Sequence, residues 1–293
     1  MIYIDESGNE GKNVTEVRPR EPALESSARV KQSLVSLLRP TSFEAEQYRT
    51  LRYIVEQLHK DANLQVVAVS SPGAGDGKTT TAINLAGALA QAPDARVLLV
   101  DADLRQPSVS KYLGIDDSRS LGLVDAILKP GLQLEDIEWR LPPFNLSALP
   151  VGHPPAAPYE VLKSPRLAKL LEEARQRYDY VVVDTPPLVP VPDCRVMAKW
   201  VDGFLLVVAA HKTPRKLVEE ALNVMDPTKT LGLIFNNDDR PLSGYYGYYY
   251  TSGQTPGADR TGWWARVIKR VGGSCWRAGS SRTSMRGNWE PWR

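Results

Sequence analysis

A chain of 293 residues, 42% hydrophobic and 24% charged, holds enough apolar side chains for one α/β domain with tails or two small domains, which excludes disorder throughout. Apolar runs such as 203–210 fall far short of the roughly 20 residues of a membrane-crossing helix, and residues 1–14 are acidic and polar, so a cytoplasmic protein without a secretory signal is expected. The net charge of +2 is uneven: residues 251–293 carry eight basic residues against Asp259 and Glu290, a net +6, leaving the other 250 at −4, which argues against nucleic acid as a partner. Two cysteines, Cys194 and Cys275, and three scattered histidines provide neither a disulfide framework nor a zinc site.

Residues 1–40 are rich in Glu, Arg, Ser and Gly, with one weak amphipathic stretch at 28–38, and read as a flexible arm. From Phe43 to His59 the apolar residues Tyr48, Leu51, Ile54, Val55 and Leu58 recur at helical spacing behind Thr41-Ser42, a pair suited to capping. β-rich runs follow at 65–70, 97–100, 180–183, 203–208 and 231–235, and helix-period segments lie at 79–91, 121–128, 164–177 and 214–225. This alternation predicts an α/β fold, a mostly parallel sheet flanked by helices on both faces, with ligands at the carboxyl ends of the strands. Between Lys129 and Pro158 seven prolines mark an irregular excursion with room for a short strand at 145–149. The expected organisation is an arm over 1–40, a folded α/β domain over 41–243, a tyrosine cluster at 244–250, and a disordered, basic tail over 251–293 that holds five of the seven tryptophans.

The first strand runs into Pro72-Gly73-Ala74-Gly75-Asp76-Gly77-Lys78-Thr79-Thr80 and then a helix. This is a phosphate loop, although Pro72 stands where the usual pattern begins with glycine. Glycines let backbone N–H groups turn toward phosphate, the helix N-terminus adds its positive end, Lys78 reaches the outer phosphates, and the Thr79 hydroxyl suits Mg²⁺. The strand ends Asp101-Ala102-Asp103 and Asp184 bring three carboxylates toward the same edge, a set better explained by Mg²⁺ than by three separate turns.

These segments resemble the bacterial tyrosine kinases of capsule and exopolysaccharide synthesis, built on a P-loop ATPase fold. The resemblance spans about 42–250 and rests on Gly75-Asp76-Gly77-Lys78-Thr79, on VLLVDADLRQP from Val97, on YDYVVVDTPP from Tyr178, on the helix element Glu46-x-x-Arg49-x-x-Arg52, and on the cluster Tyr245, Tyr246, Tyr248, Tyr249 and Tyr250. It implies Mg²⁺·ATP as cofactor and places ATP on Gly73 to Thr80. Lys78, Asp101 and Asp103 would be catalytic, with Asp101 toward the incoming tyrosine, a division with Asp103 that the sequence leaves open. Thr79, Asp103 and Asp184 would hold the metal, and the five tyrosines would be phosphorylated by neighbouring subunits. It further implies a homo-oligomer joined through Glu46, Arg49 and Arg52, an activating membrane-embedded polysaccharide co-polymerase that draws the chain to the inner face of the membrane, and a phosphotyrosine phosphatase.

The main rival on this fold is an ATPase switch of the partition and positioning kind, whose hallmark is a second lysine at the loop start. Gly73 occupies that position here. A non-catalytic chain-length regulator is a third option. Asn236, just past the last apolar strand, would either bind an adenine edge or cap the strand. Asp76, Arg105 and Pro107 match the family without a role derivable from sequence, and the tail either contacts anionic lipid or stays disordered.

Overall fold

A computed structural model describes residues 34–115, 121–238 and 266–269. In chain order the elements are α1 (Val35–Leu38), α2 (Phe43–Ala62), β1 (Val66–Ser70), α3 (Lys78–Leu89), β2 (Val97–Asp101), α4 (Val109–Leu113), α5 (Leu123–Leu128), α6 (Leu134–Ile137), β3 (Trp139–Arg140), β4 (Leu146–Leu149), α7 (Pro158–Leu162), α8 (Pro165–Arg177), β5 (Tyr180–Asp184), α9 (Asp193–Met197), β6 (Gly203–Ala209), α10 (Arg215–Val224), β7 (Thr230–Asn236) and β8 (Arg266–Lys269). The strands form one sheet in the order β3-β4-β2-β5-β1-β6-β7-β8. Its six central members are parallel, and β3 and β8 run antiparallel at the two edges. All five predicted central strands are present, and the proline-rich excursion supplies β3 and β4 besides α6.

The strands are apolar on both faces because helices cover both. Along β1, Val66 and Ala68 face the cluster built with α5 to α8, while Val67 and Val69 face the one built with α1, α2 and α3. The amphipathic stripe of α2 buries Ala45, Tyr48, Leu51 and Val55, and its first turn is capped by Ser42, whose Oγ accepts from Ala45 N at 3.2 Å.

Two expectations about the ends change. Residues 34–38 fall within the arm expected over 1–40, yet Leu34, Val35 and Leu37 are buried against α3, with Ser36 N donating to Asn84 Oδ1 at 3.1 Å. Leu37 fits there because Gly87 leaves room: a Cβ on that glycine would stand 2.9 Å from Leu37 Cγ. In the tail expected to be disordered, β8 pairs with β7 from Gly232↔Lys269 to Phe235↔Arg266. An open sheet edge offers unpaired N–H and C=O groups to any extended segment, and Val267-Ile268 has the β-branched character such a segment needs.

Candidate active site

Strand order decides the site. Because β5 lies between β2 and β1, their carboxyl ends stand side by side, with Asp101 paired in register with Asp184 and Val69 also with Asp184. The phosphate loop leaves β1 into α3, and Gly75 and Gly77 take φ of +81° and +96°, the left-handed region that favours glycine. At Gly77 the lack of a side chain is also a packing requirement, since a Cβ would stand 2.0 Å from Asn236 Nδ2.

Lys78 is the first residue of α3, and its ammonium lies 2.7 Å from Asp103 Oδ2 and 3.6 Å from Asp184 Oδ1. Burial works against that charge, but the pull of Asp184 and Asp103 outweighs it and holds the Lys78 pKa above the ordinary lysine value. Thr79 Oγ1 donates to Asp184 Oδ2 at 2.6 Å and accepts from Ser108 Oγ at 3.1 Å. Thr80 is half-buried one position further along α3, and Gly73, Ala74 and Gly75 line the more open part of the loop. Lys78, Thr79, Asp103 and Asp184 thus meet as expected.

Asp101 is turned to the backbone that follows its strand. It is 0% exposed, its Oδ2 accepts the N–H groups of Ser108 and Val109, both at 3.0 Å, and its Oδ1 accepts Asp103 N at 3.2 Å. The carboxylate fastens the start of α4 to the strand end. Burial, then the like charge of Asp184, raises its pKa to about 7 against those backbone donors. Burial likewise raises Asp184 to about 6, against Lys78 and the Thr79 hydroxyl.

The donor set fits a divalent cation that keeps several waters. Asp184 Oδ1 is a buried oxygen with no hydrogen-bond partner, on the residue whose other oxygen takes the Thr79 hydroxyl. Among the described residues no three His, Cys, Asp or Glu side chains form an all-protein metal cage. Mg²⁺ at a phosphate site needs only one or two carboxylates besides hydroxyl, water and phosphate oxygens.

The rest of the loop is braced by residues far away in sequence. Asp76 is buried, its Oδ2 accepting from Gly73 N at 3.2 Å and its Oδ1 from Thr213 Oγ1 at 2.7 Å. Asn236 is also buried and donates through Nδ2 to Asp76 O at 2.9 Å, so its amide supports the loop. Arg105 forms a two-pronged pair with the buried Asp193, at 2.7 and 3.1 Å, tying the turn after β2 to the start of α9. Of these residues Asp76 and Arg105 carry a sequence signal in their match to the family motifs, and Asn236 in its place at the end of the last apolar strand; Ser108, Thr213 and Asp193 carry none.

On α2, Glu46 and Arg49 pair at the surface, and Arg49 also donates to Pro40 O at 2.6 Å. Arg52 is committed within the chain, to Glu56 Oε1 at 2.6 Å and to Ala88 O near the end of α3 at 3.0 Å. The tyrosine cluster lies outside the described residues. Cys194 is buried beside Pro186 O, Thr185 and Ser70, and burial raises its thiol to about 11, which makes it an inert packing residue. No helix among the described residues is long and apolar enough to cross a membrane.

A family model described as an AAA domain matches residues 64–210. The tyrosine-protein kinase YwqD of Bacillus subtilis is 34% identical over 226 residues, covering 76% of this chain and 94% of that protein. The succinoglycan biosynthesis transport protein ExoP of Rhizobium meliloti is 34% identical over 218 residues, covering 71% of this chain but only 26% of its own length. Among solved structures, the kinase domain of the Escherichia coli tyrosine kinase ETK superposes with a TM-score of 0.66 at 26% identity, covering 73% of this chain and 83% of that one. A ParA family ATPase from Chlorobium tepidum, 24% identical with a TM-score of 0.51 over 60% of this chain and 75% of that one, shares the fold alone. The fold and the loop imply nucleotide binding with a divalent metal. With the kinase relative matched along nearly its whole length and the carboxylate cluster assembled on the phosphate loop, this chain belongs to the bacterial tyrosine-protein kinases.

Proposed function

We propose that this chain uses Mg²⁺·ATP to phosphorylate tyrosines of its own cluster, Tyr245, Tyr246, Tyr248, Tyr249 and Tyr250, between copies of a homo-oligomer. Asp184 carries the reading: a fully buried carboxylate with one oxygen on Thr79 and the other unbonded beside Lys78. Thr79 and Asp184 would hold the metal, which when bound supplies charge neutralisation on the phosphates. Lys78, now on Asp103, moves to the phosphate oxygens of ATP in the Gly73–Thr80 loop, and Asp103 is thereby freed. Asp103 then has an oxygen to offer the incoming tyrosine hydroxyl, which must lose a proton as it attacks. Asp101 keeps its bonds to Ser108 and Val109 and positions that turn. In this reading Asp103, and not Asp101, faces the tyrosine, and the metal is left to Thr79 and Asp184. Asn236 contributes to nucleotide binding by holding Asp76 and the loop.

The biological role we assign is control of exopolysaccharide or capsule polymerisation and export. It rests on the polysaccharide named for ExoP, of which this chain covers about a quarter. A membrane-embedded co-polymerase would activate the chain and bring it to the inner face of the membrane, and a phosphotyrosine phosphatase would reset it. The deciding measurement is transfer of labelled γ-phosphate to tyrosine, with and without such an activator. Wild-type chain should be labelled and Lys78→Met should lose the label by at least about 100-fold, as expected when a phosphate-stabilising charge is removed, while keeping its circular dichroism spectrum. Hydrolysis of ATP with no label on tyrosine under both conditions would instead make the chain an ATPase switch.

A further inference from the structure

The turn between β6 and α10 reaches back over the phosphate loop and carries a lysine that neither the family motifs nor the carboxylate cluster includes. His211 takes a φ of +59°, a conformation uncommon for a residue with a side chain and one that the surroundings must enforce. The enforcement is visible. Lys212 N and Thr213 N both donate to Ala209 O, at 3.2 and 3.0 Å, and Thr213 Oγ1 accepts from Ala209 N at 3.0 Å while donating to Asp76 Oδ1 at 2.7 Å. Ala210 N donates to Asn236 O at 2.7 Å, and Asn236 in turn holds the Asp76 carbonyl. Turn and loop are therefore one hydrogen-bonded body.

Lys212 extends from that body onto the loop, its Nζ donating to Gly75 O at 3.2 Å. A Cβ on Gly75 would stand 3.3 Å from the same nitrogen, so the ammonium lies against the middle of the loop. The residue is exposed and makes no ion pair among the described residues. The loop thus has two ammonium groups: Lys78, compensated by Asp103 and Asp184, and Lys212, touching only a neutral carbonyl. An uncompensated ammonium held beside a phosphate loop by a strained turn fits one kind of ligand, a group with several anionic oxygens, and a compact point charge on a flexible stem suits phosphate.

We propose that Lys212 is a phosphate-binding residue, leaving the Gly75 carbonyl for the phosphate chain of a bound nucleoside triphosphate and discriminating triphosphate from diphosphate by charge. The proposal rests on the nucleotide-binding reading of the loop but not on where the phosphoryl group goes. Its test is equilibrium binding of fluorescent AMP-PNP and fluorescent ADP, both with Mg²⁺, to wild type, Lys212→Ala and Lys212→Arg. Lys212→Ala should weaken the triphosphate analogue about tenfold or more, the scale of one hydrogen bond between charged groups, and ADP by no more than about threefold. Lys212→Arg should recover most of the loss, and the salt dependence of AMP-PNP binding should be shallower in Lys212→Ala than in wild type. Equal weakening of both nucleotides would make Lys212 only a brace for the loop and overturn the proposal, as would no weakening at all. A wild-type chain that binds neither nucleotide would remove the nucleotide reading with it. The predicted split without any label on tyrosine would leave Lys212 in place and remove only the kinase.

Discussion

Asp101 and Asp184 sit opposite each other in register on neighbouring strands, and their pKa values near 7 and 6 have a measurable consequence. Both lie above the ordinary carboxylate value, so at intermediate pH the folded chain holds protons that the unfolded chain has released. Stability contributed in this way is present at acid pH and is lost as pH rises from about 4 through 6 and 7. In chelator and without nucleotide, urea unfolding should therefore give a free energy that falls across this window. Each proton contributes a slope of at most about 1.4 kcal/mol per pH unit, and Asp101→Asn should flatten the curve. An unchanged slope in Asp101→Asn would mean that Asp101 does not titrate there. Asp125, Asp179 and Asp202 do not confuse the measurement. Burial raises Asp125 and Asp202, but their ion-pair and backbone donors outweigh it, while Arg96 pulls Asp179 down. All three end below the ordinary value, so their stabilisation is lost only at more acid pH.

At the level of elements, α2 separates two roles that its sequence pattern presents as one. Glu46 and Arg49 are partly exposed and paired with each other, whereas Arg52 reaches Ala88 O and satisfies a carbonyl near the end of the phosphate-loop helix. Arg52→Ala should lower unfolding free energy by about 1–2 kcal/mol, the usual cost of losing a charged hydrogen bond to a helix end. The double variant Glu46→Ala with Arg49→Ala should stay within about 0.5 kcal/mol of wild type, as surface pairs do. If α2 joins copies of the chain as the family resemblance implies, that double variant should shift the mass measured by light scattering to that of the monomer. Retention of the wild-type mass would take Glu46 and Arg49 out of the interface.

For the whole molecule, the packed unit starts before α2. Leu34, Val35 and Leu37 complete the face of the sheet that α3 covers, so a chain cut at residue 40 would expose the groove along Gly87. Leu37→Ala should cost about 2–4 kcal/mol, the range for a buried leucine whose site collapses only in part, as read by urea denaturation of the full chain. A cost under about 0.5 kcal/mol would show that α1 rests on the domain without belonging to its core. The opposite edge is organised similarly, with β8 closing β7 against pairing by another chain.

The alternating apolar runs and helix-period segments were sufficient by themselves for the α/β class, the central strands and the phosphate loop, because periodicity and a glycine-rich turn before a helix are local properties. Lys78 and Thr79 were legible because they follow the glycine-rich turn at the start of a helix, and Asp103 and Asp184 because each lies at or just beyond a strand end and parallel strands place their carboxyl ends on one edge. The tertiary structure alone decided how that edge is used. Asp101 is two residues from Asp103, yet it turns to the backbone of Ser108 and Val109 while Asp103 turns to Lys78, a division set by the path of the chain into α4. Thr213, Lys212 and Asn236 reach the loop from 137 to 160 residues away, through contacts that exist only because β6 lies beside β1 and β7 beside β6. The weak amphipathic stretch ending at Leu38 could not announce its burial, since four helical residues have no period to read and are held by the groove they fill.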